Sequence, residues 1–259
     1  MLSRQEKRLN SIIKMLRLAN PTTVNKLSSV MEVSHMTIRR DLEMLKNRNL
    51  VDIFHGGVVL KETKKRSKQN PYSLSYANKQ MNQEKKHIAI KASAYIKSND
   101  IIIMDTGSTM EYFARTLPEC FPITIICFTL NSLIHVSKME KANIIFPGGY
   151  FHENTLMFES KEGIDLITKH PANIAFISAS GISLNNGVSC SNSYELLTKI
   201  EMIKSADKKI LLADSSKFNK VESTLFAELT EFDIIISDKG IPSEYVDYCK
   251  SHKIELILV

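Results

Sequence analysis

The 259-residue sequence predicts a small head of three helices closed by a β-hairpin, joined to a larger α/β body with a largely parallel sheet. Three observations predict it. Residues 4–48 carry three apolar stripes at helical spacing, separated by turn residues. A Gly-Gly pair then interrupts a short apolar stretch, a hairpin signal. From about residue 82, β-branched runs alternate with helical stretches, the pattern of a sheet whose strands are joined through helices on both faces.

The first helix is expected over residues 4–18, with Leu9, Ile12, Ile13 and Leu16 on one side and Lys and Arg on the other. Asn20-Pro21-Thr22-Thr23 ends it and offers caps for a second helix that buries Val24, Leu27 and Val30 or Met31. Val33-Ser34-His35 forms a turn in which Ser34 is a suitable N-cap. The third helix runs from about Met36 to Arg48 on the stripe Ile38, Leu42, Leu45. Leu50–Leu60 then reads as two strands around Gly56-Gly57. Three helices and a hairpin make a winged helix-turn-helix, assigned to residues 1–60. The charged run Lys61–Gln69, ending at Asn70-Pro71, reads as a linker, taken to residue 81, and the body occupies 82–259.

In the body, strands are expected at Ile101–Met104, Ile123–Phe128, Asn143–Phe146, Ile174–Ile177, Ile210–Leu212, Ile234–Ile236 and Glu255–Val259. Helices between them include Ile88–Ile96, Met110–Leu117, Ser132–Met139 and Leu196–Ser205.

The net charge of +6 is unevenly spread. Residues 1–70 hold 15 Lys/Arg against 6 Asp/Glu, whereas residues 71–259 hold 19 against 22. A basic head on a slightly acidic body points to a polyanion partner for the head alone. Four widely spaced cysteines form no C-x-x-C pair, so reduced core thiols are expected, with no metal and no cofactor. No apolar run approaches the roughly 20 residues of a membrane span. The N-terminus leads into no secretory segment. A cytoplasmic protein that does not enter membranes is the expectation.

With Ile38, Leu42 and Leu45 packed inward, a rotation of about 100° per residue turns Arg40 to the opposite side, with Thr37 nearby and Arg39 on the flank. Preceded by Ser34 and His35, these residues form the start of a recognition helix, the part that meets base edges in the major groove. Arginine donates two hydrogen bonds to guanine, and hydroxyls hold phosphates. Lys46, Arg48 and the wing residue His55 are further phosphate contacts. The expected partner is double-stranded operator DNA.

The body carries a second set of candidates at its strand ends, where α/β sheets bind ligands. Ile101–Met104 runs into Asp105-Thr106-Gly107-Ser108-Thr109, a turn that offers amides and hydroxyls to an anion. Phe146-Pro147 leads to Gly148-Gly149, which either make a tight turn or leave room for a ligand. Ile177 leads to Ser178-Ala179-Ser180-Gly181, and Leu212 to Asp214-Ser215-Ser216-Lys217. Lys217 suits an anion and Asp105 suits sugar hydroxyls. Converging at one crevice, these residues point to a small anionic, sugar-like ligand.

Thr37-Ile38-Arg39-Arg40-Asp41-Leu42, followed by His55-Gly56-Gly57, resembles the DeoR family of bacterial sugar-catabolism regulators. Asp105-Thr-Gly-Ser-Thr109, Gly148-Gly149, Phe176-Ile-Ser-Ala-Ser-Gly-Ile182 and Leu212-Ala-Asp-Ser-Ser-Lys-Phe218 resemble its C-terminal sensor domain, so the likeness spans essentially the whole chain. The resemblance implies a body related to ribose-5-phosphate isomerase and coenzyme-A transferases, a phosphorylated sugar effector, repression of sugar-metabolism genes and a homo-oligomer, dimer or tetramer. It also places Lys86 and Lys199 near positions the family often keeps basic. Four residues depart from the pattern. Ile53 stands where an arginine is usual and Asn173 where an aspartate is. Ser178 replaces a frequent glycine, and Glu159 would repel a phosphate if it stood beside one.

The rival is an isomerase-like or transferase-like enzyme. An isomerase needs a carboxylate base, and Ser178-Ala179-Ser180-Gly181 has none. A transferase needs a glutamate nucleophile, and Glu195 reads as a helix-start residue. No catalytic residue is assigned.

Overall fold

The structure is a computed structural model that describes residues 4–18, 22–48, 50–54, 57–60 and 73–259. The chain divides into two compact units, Met1–Asn70 and Pro71–Val259.

In the first unit, helix α1 spans Arg4–Leu18, α2 Val24–Met31 and α3 His35–Asn47. Strands β1 (Thr22–Thr23), β2 (Val51–Phe54) and β3 (Gly57–Leu60) form an antiparallel sheet in the order β1-β3-β2. Thr23 caps α2 by accepting from the Lys26 amide at 3.1 Å. Ser34 caps α3 in the same way through the Thr37 amide at 3.2 Å. The core is Leu9, Ile12, Leu16, Leu27, Ile38, Leu42 and Leu45, closed by Val51 and Val58 from the hairpin. Val30 is 56% exposed, so the buried face of α2 runs through Leu27 with Val24 and Met31 partly covered. Ile53 also packs on this core. The position where the family usually has arginine is here an apolar prop for the wing.

One polar group lies inside this unit. Asp41 is fully buried and accepts from Arg8 through both the Nε and, at 3.1 Å, a terminal nitrogen of the guanidinium. Gln5 adds a 3.4 Å bond. The pair pins α1 to α3 and fixes the rotation of α3 about its axis. A buried carboxylate held in two places tolerates one orientation only.

The second unit is built on a seven-stranded, wholly parallel sheet. Its strands are β4 (Ile101–Met104), β5 (Ile123–Cys127), β6 (Ala142–Ile145), β9 (Ala172–Ser178), β12 (Ala206–Leu212), β14 (Ile234–Ser237) and β15 (Glu255–Leu258). Their order is β15-β14-β12-β9-β4-β5-β6. Alternate residues serve opposite faces: Ile103, Ala175, Ile177, Leu211 and Ile235 pack in one core, and Ile102, Met104, Phe176, Ile210 and Ile236 in the other. Both faces are therefore dry, which is why these strands read as continuous apolar runs. The covering helices are α5 (Asn82–Ser93), α6 (Ser108–Ala114), α7 (Leu130–Val136), α8 (Lys161–Lys169), α9 (Leu196–Lys204) and α10 (Ser243–Ser251). Five further strands form two antiparallel pieces, the hairpin β7 (Tyr150–His152) and β8 (Met157–Glu159), and the sheet β10 (Gly181–Ser183), β11 (Gly187–Cys190), β13 (Thr224–Ala227).

The stretch expected to be linker as far as residue 81 is folded from Ser73 onward. A short helix α4 (Leu74–Ala77) buries Leu74 and Ala77, and the Leu74 amide bonds Asn154 O at 2.9 Å. One helical turn is too short for its periodicity to show in the sequence. Among the cysteines, Cys127, Cys190 and Cys249 are buried, but Cys120 is exposed rather than in the core. Burial pushes the Cys127 thiol up to about 12 and Cys249 up to about 11, so both are inert at neutral pH. No described helix is long and apolar enough to cross a membrane.

Candidate functional site

The head presents the first two turns of α3. Its start is fixed by the Ser34 cap, whose hydroxyl also lies 3.0 Å from that of Thr37. His35, Arg39 and Arg40 are exposed, Thr37 is half-buried, and Met36 is 60% exposed between them. Lys46 is exposed on the last turn of α3, seven residues on from Arg39 and so on the same side. Arg48 is engaged within the protein, bonding Glu6 at 2.6 and 3.3 Å. That hydrogen bond holds the Glu6 carboxyl below its ordinary range. The pair is solvent-exposed and weak, but it turns Arg48 toward α1. His55, with Gly56, lies outside the described residues.

In the body, strand order reverses between β4 and β9. The chain proceeds outward from β4 through β5 to β6, then returns to lay β9 on the other side of β4. Such a reversal leaves a crevice at the carboxyl ends of the two strands. The crevice here opens to solvent. After β4 it is walled by Thr106, Gly107, Ser108 and Thr109, and after β9 by Ser178, Ala179 and Ser180. Gly107 sits at φ +101°, a conformation that favours glycine, and lets the backbone turn directly into α6.

Charged groups close the remaining sides. Lys217, in the turn after β12, is half-buried and has no ion-pair partner among the described residues. Lys199 and Glu195 project from α9 and the turn before it. Both are buried, and their charged atoms are 3.7 Å apart. Lys199 also bonds Asp105 and, at 3.2 Å, Ser178 O. Burial alone would lower the pKa of this lysine. Asp105 and Glu195 outweigh it, and the ammonium is held above its ordinary range. Asp105 accepts further bonds from the Ser178 amide at 2.8 Å and its hydroxyl at 3.1 Å. Glu195 accepts from the Thr106 hydroxyl at 2.7 Å and from Asn192 at 2.8 Å.

Several expectations are corrected by this geometry. Asp105 lies behind the crevice wall, fully buried, and supports the floor instead of facing a ligand. Glu195 is more than a helix-start residue: its side chain caps nothing and lines the crevice. Gly148 and Gly149 are not in the crevice. They turn the chain from β6 into β7 at φ +67° and +128°, and a Cβ on Gly149 would lie 2.3 Å from Glu159 O. Gly181 opens β10, where a Cβ would lie 2.8 Å from Lys220 O. Glu159 pairs with His152 at 2.8 Å in the β7–β8 hairpin, away from the crevice lining. Asn173 stands at the opposite end of the sheet, accepting from the Ile101 amide at 2.8 Å. Ser178 uses its hydroxyl to join Asp105 to Thr106 O, at 2.6 Å from the latter.

Lys86 is exposed on α5 and absent from the crevice, whereas its neighbour Lys85 is fully buried. Lys85 donates to Ala77 O at 2.7 Å and Gln80 O at 2.6 Å, and stands 4.0 Å from Asp214. Burial lowers its pKa to about 8 against the pull of Asp214, with Lys217 lowering it further. Between pH 8 and 10.5 the unfolded chain holds a proton that the folded one has released, so stability rises with pH across that window. Below pH 8 both states are protonated and the full cost is present. Lys85→Met is expected to remove this slope, which is at most about 1.4 kcal/mol per pH unit. Urea titrations at pH 8 and 10 read it directly.

Residues 8–64 match the DeoR-like helix-turn-helix domain and residues 80–239 the DeoR C-terminal sensor domain. The Bacillus subtilis HTH-type transcriptional regulator YulB is 31% identical over 254 residues, spanning 97% of this chain and 96% of its own. The Escherichia coli deoxyribose operon repressor is 28% identical over 257 residues, spanning 99% of this chain and 100% of its own. A solved ribose 5-phosphate isomerase from Methanocaldococcus jannaschii superposes on 53% of this chain and 54% of its own, with a TM-score of 0.40 at 19% identity. With both halves matched in order, the chain belongs to the DeoR family of DNA-binding transcriptional regulators.

Proposed function

We propose that this regulator represses genes of sugar or sugar-phosphate metabolism and releases its operator when a phosphorylated sugar occupies the crevice between β4 and β9. The observation that carries the proposal is Lys217, a cation without an ion-pair partner among the described residues, facing a wall of hydroxyls at the point where the strand order reverses. Hydroxyls and one ammonium suit a phosphate ester. The likeness to a deoxyribose operon repressor supports both the sign of control and the sugar class.

In this reading Thr37, Arg39 and Arg40 meet base edges, and His35, Lys46 and the wing residue His55 contact phosphates. Ser34 acts through the cap. Lys217, Gly107, Ser108 and Thr109 hold the effector phosphate, with Lys199 behind them. The protein works in the cytoplasm as a homo-oligomer, dimer or tetramer, set on repeated half-sites. No reaction is assigned to the crevice: Asp105 is buried behind its wall, and Glu195 is held by Thr106, Asn192 and Lys199.

A coupling of about 1–3 kcal/mol would change operator affinity roughly 5- to 150-fold. Lys217→Ala is expected to keep operator binding and to lose most of the effector response. Gel-shift titrations with and without sugar phosphates check it. A variant that still responds fully would remove Lys217 from the site.

A further inference from the structure

We infer that the crevice selects a single phosphate group on an otherwise uncharged sugar and rejects ligands carrying a second anion, with Glu195 as the residue that enforces the choice. The inference rests on the reading of the crevice as a sugar-phosphate site and narrows its ligand class.

The argument is one of charge placement. Two ammonium groups line the crevice, Lys199 and Lys217. Only one is available to a ligand. Lys199 is bonded to Asp105 and stands 3.7 Å from Glu195, so two carboxylates already face one cation. That inner cluster has a surplus of one negative charge. The half-buried Lys217 stands outside it and has no ion-pair partner among the described residues. The crevice is therefore electrically two-ended, positive at the turn after β12 and negative toward α9. A phosphate settles at Lys217. The remainder of the ligand then extends along the Ser178–Ser180 and Thr106–Thr109 walls toward Glu195.

Glu195 cannot step aside for a second anion. It is 4% exposed, and both of its oxygens are held, one by the Thr106 hydroxyl and one by Asn192. A buried carboxylate fixed by two donors repels a like charge more strongly than one in water, because solvent no longer screens it. Sugar hydroxyls suffer no such penalty, since they donate to the carboxylate and accept from Ser180. A sugar-acid phosphate or a bisphosphate of the same carbon skeleton does suffer it.

The test uses the full-length protein and two matched series. One is ribose 5-phosphate, 5-phosphoribonate and ribose 1,5-bisphosphate; the other is glucose 6-phosphate, 6-phosphogluconate and glucose 1,6-bisphosphate. Affinities come from calorimetry on the wild type and on Glu195→Gln, which keeps the shape of the side chain, accepts from Asn192 through its amide oxygen and donates through its amide nitrogen to the Thr106 hydroxyl. In at least one series the wild type is expected to prefer the monophosphate by about tenfold or more over both doubly anionic partners. The readout is the ratio within a series: Glu195→Gln should erase most of that gap, chiefly by raising the affinity for the doubly anionic partners. Wild-type affinities that are equal across every series that binds overturn the selectivity but leave the crevice a sugar-phosphate site. A gap that persists unchanged in a folded Glu195→Gln overturns the role of Glu195. If no member of either series binds, the sugar-phosphate reading falls and this inference falls with it.

Discussion

Asp105→Ala is expected to lower the stability of the α/β body by about 3–5 kcal/mol, the cost of leaving a buried ionic partner uncompensated. Asp105 is the common acceptor for Lys199, the Ser178 amide and the Ser178 hydroxyl, and both donor residues are buried. Its removal strips a buried ammonium of its closest counter-charge and leaves an amide without a partner. Glu195, at 3.7 Å, offsets part of the loss. Urea unfolding of the larger unit reads the effect as a shift in midpoint with little change in slope. A loss below about 1 kcal/mol would mean that water or Glu195 replaces Asp105, and that the network is less dry than its geometry implies.

Arg40→Ala is expected to cost about 1–3 kcal/mol of operator binding per lost bidentate base contact, and to flatten discrimination between operator and random duplex. The head should keep its fold, because Arg40 is exposed whereas the helix is held by Ile38, Leu42, Leu45 and the Arg8–Asp41 pair. Lys46→Ala, by contrast, should weaken binding to all sequences alike and reduce the salt dependence. Fluorescence anisotropy against specific and scrambled duplexes at two salt concentrations separates the two effects. An Arg40→Ala protein with unchanged specificity would move the reading surface off the start of α3.

Much of this architecture was legible in the sequence. Strands of the parallel sheet stand out because both faces are buried, so Ile101–Met104 appears as an unbroken apolar run and matches β4 residue for residue. The recognition helix is legible because its stripe and cap are local. Burial choices that depend on distant partners are not. Lys85 shares the buried face of α5 with Ile88, Ala89 and Ala92, but only the carbonyls of Ala77 and Gln80, which satisfy its ammonium, show that a lysine can stay there. Asp41 follows the exposed Arg40 and borders the Ile38–Leu42–Leu45 stripe, and Arg8, 33 positions earlier, is what lets a carboxylate stay buried there. Glu195 enters the crevice because Thr106, 89 positions away, holds it there. Strands β10 and β11 carry Gly and Ser with little apolar alternation, and β7 is only three residues long, so all three leave almost no signature.

The reversal of strand order has a consequence for how the protein is made. One wall of the crevice follows residue 104, the other follows residue 178, and the available cation is residue 217. A ribosome therefore releases α3 some 170 residues before the last residue of the crevice lining, counting from Asn47 to Lys217. Domains fold as units with the N-terminal one first. On the proposed reading, a chain cut short after residue 214 keeps its head, lacks Lys217 together with β13, β14 and β15, and is expected to lose the effector response.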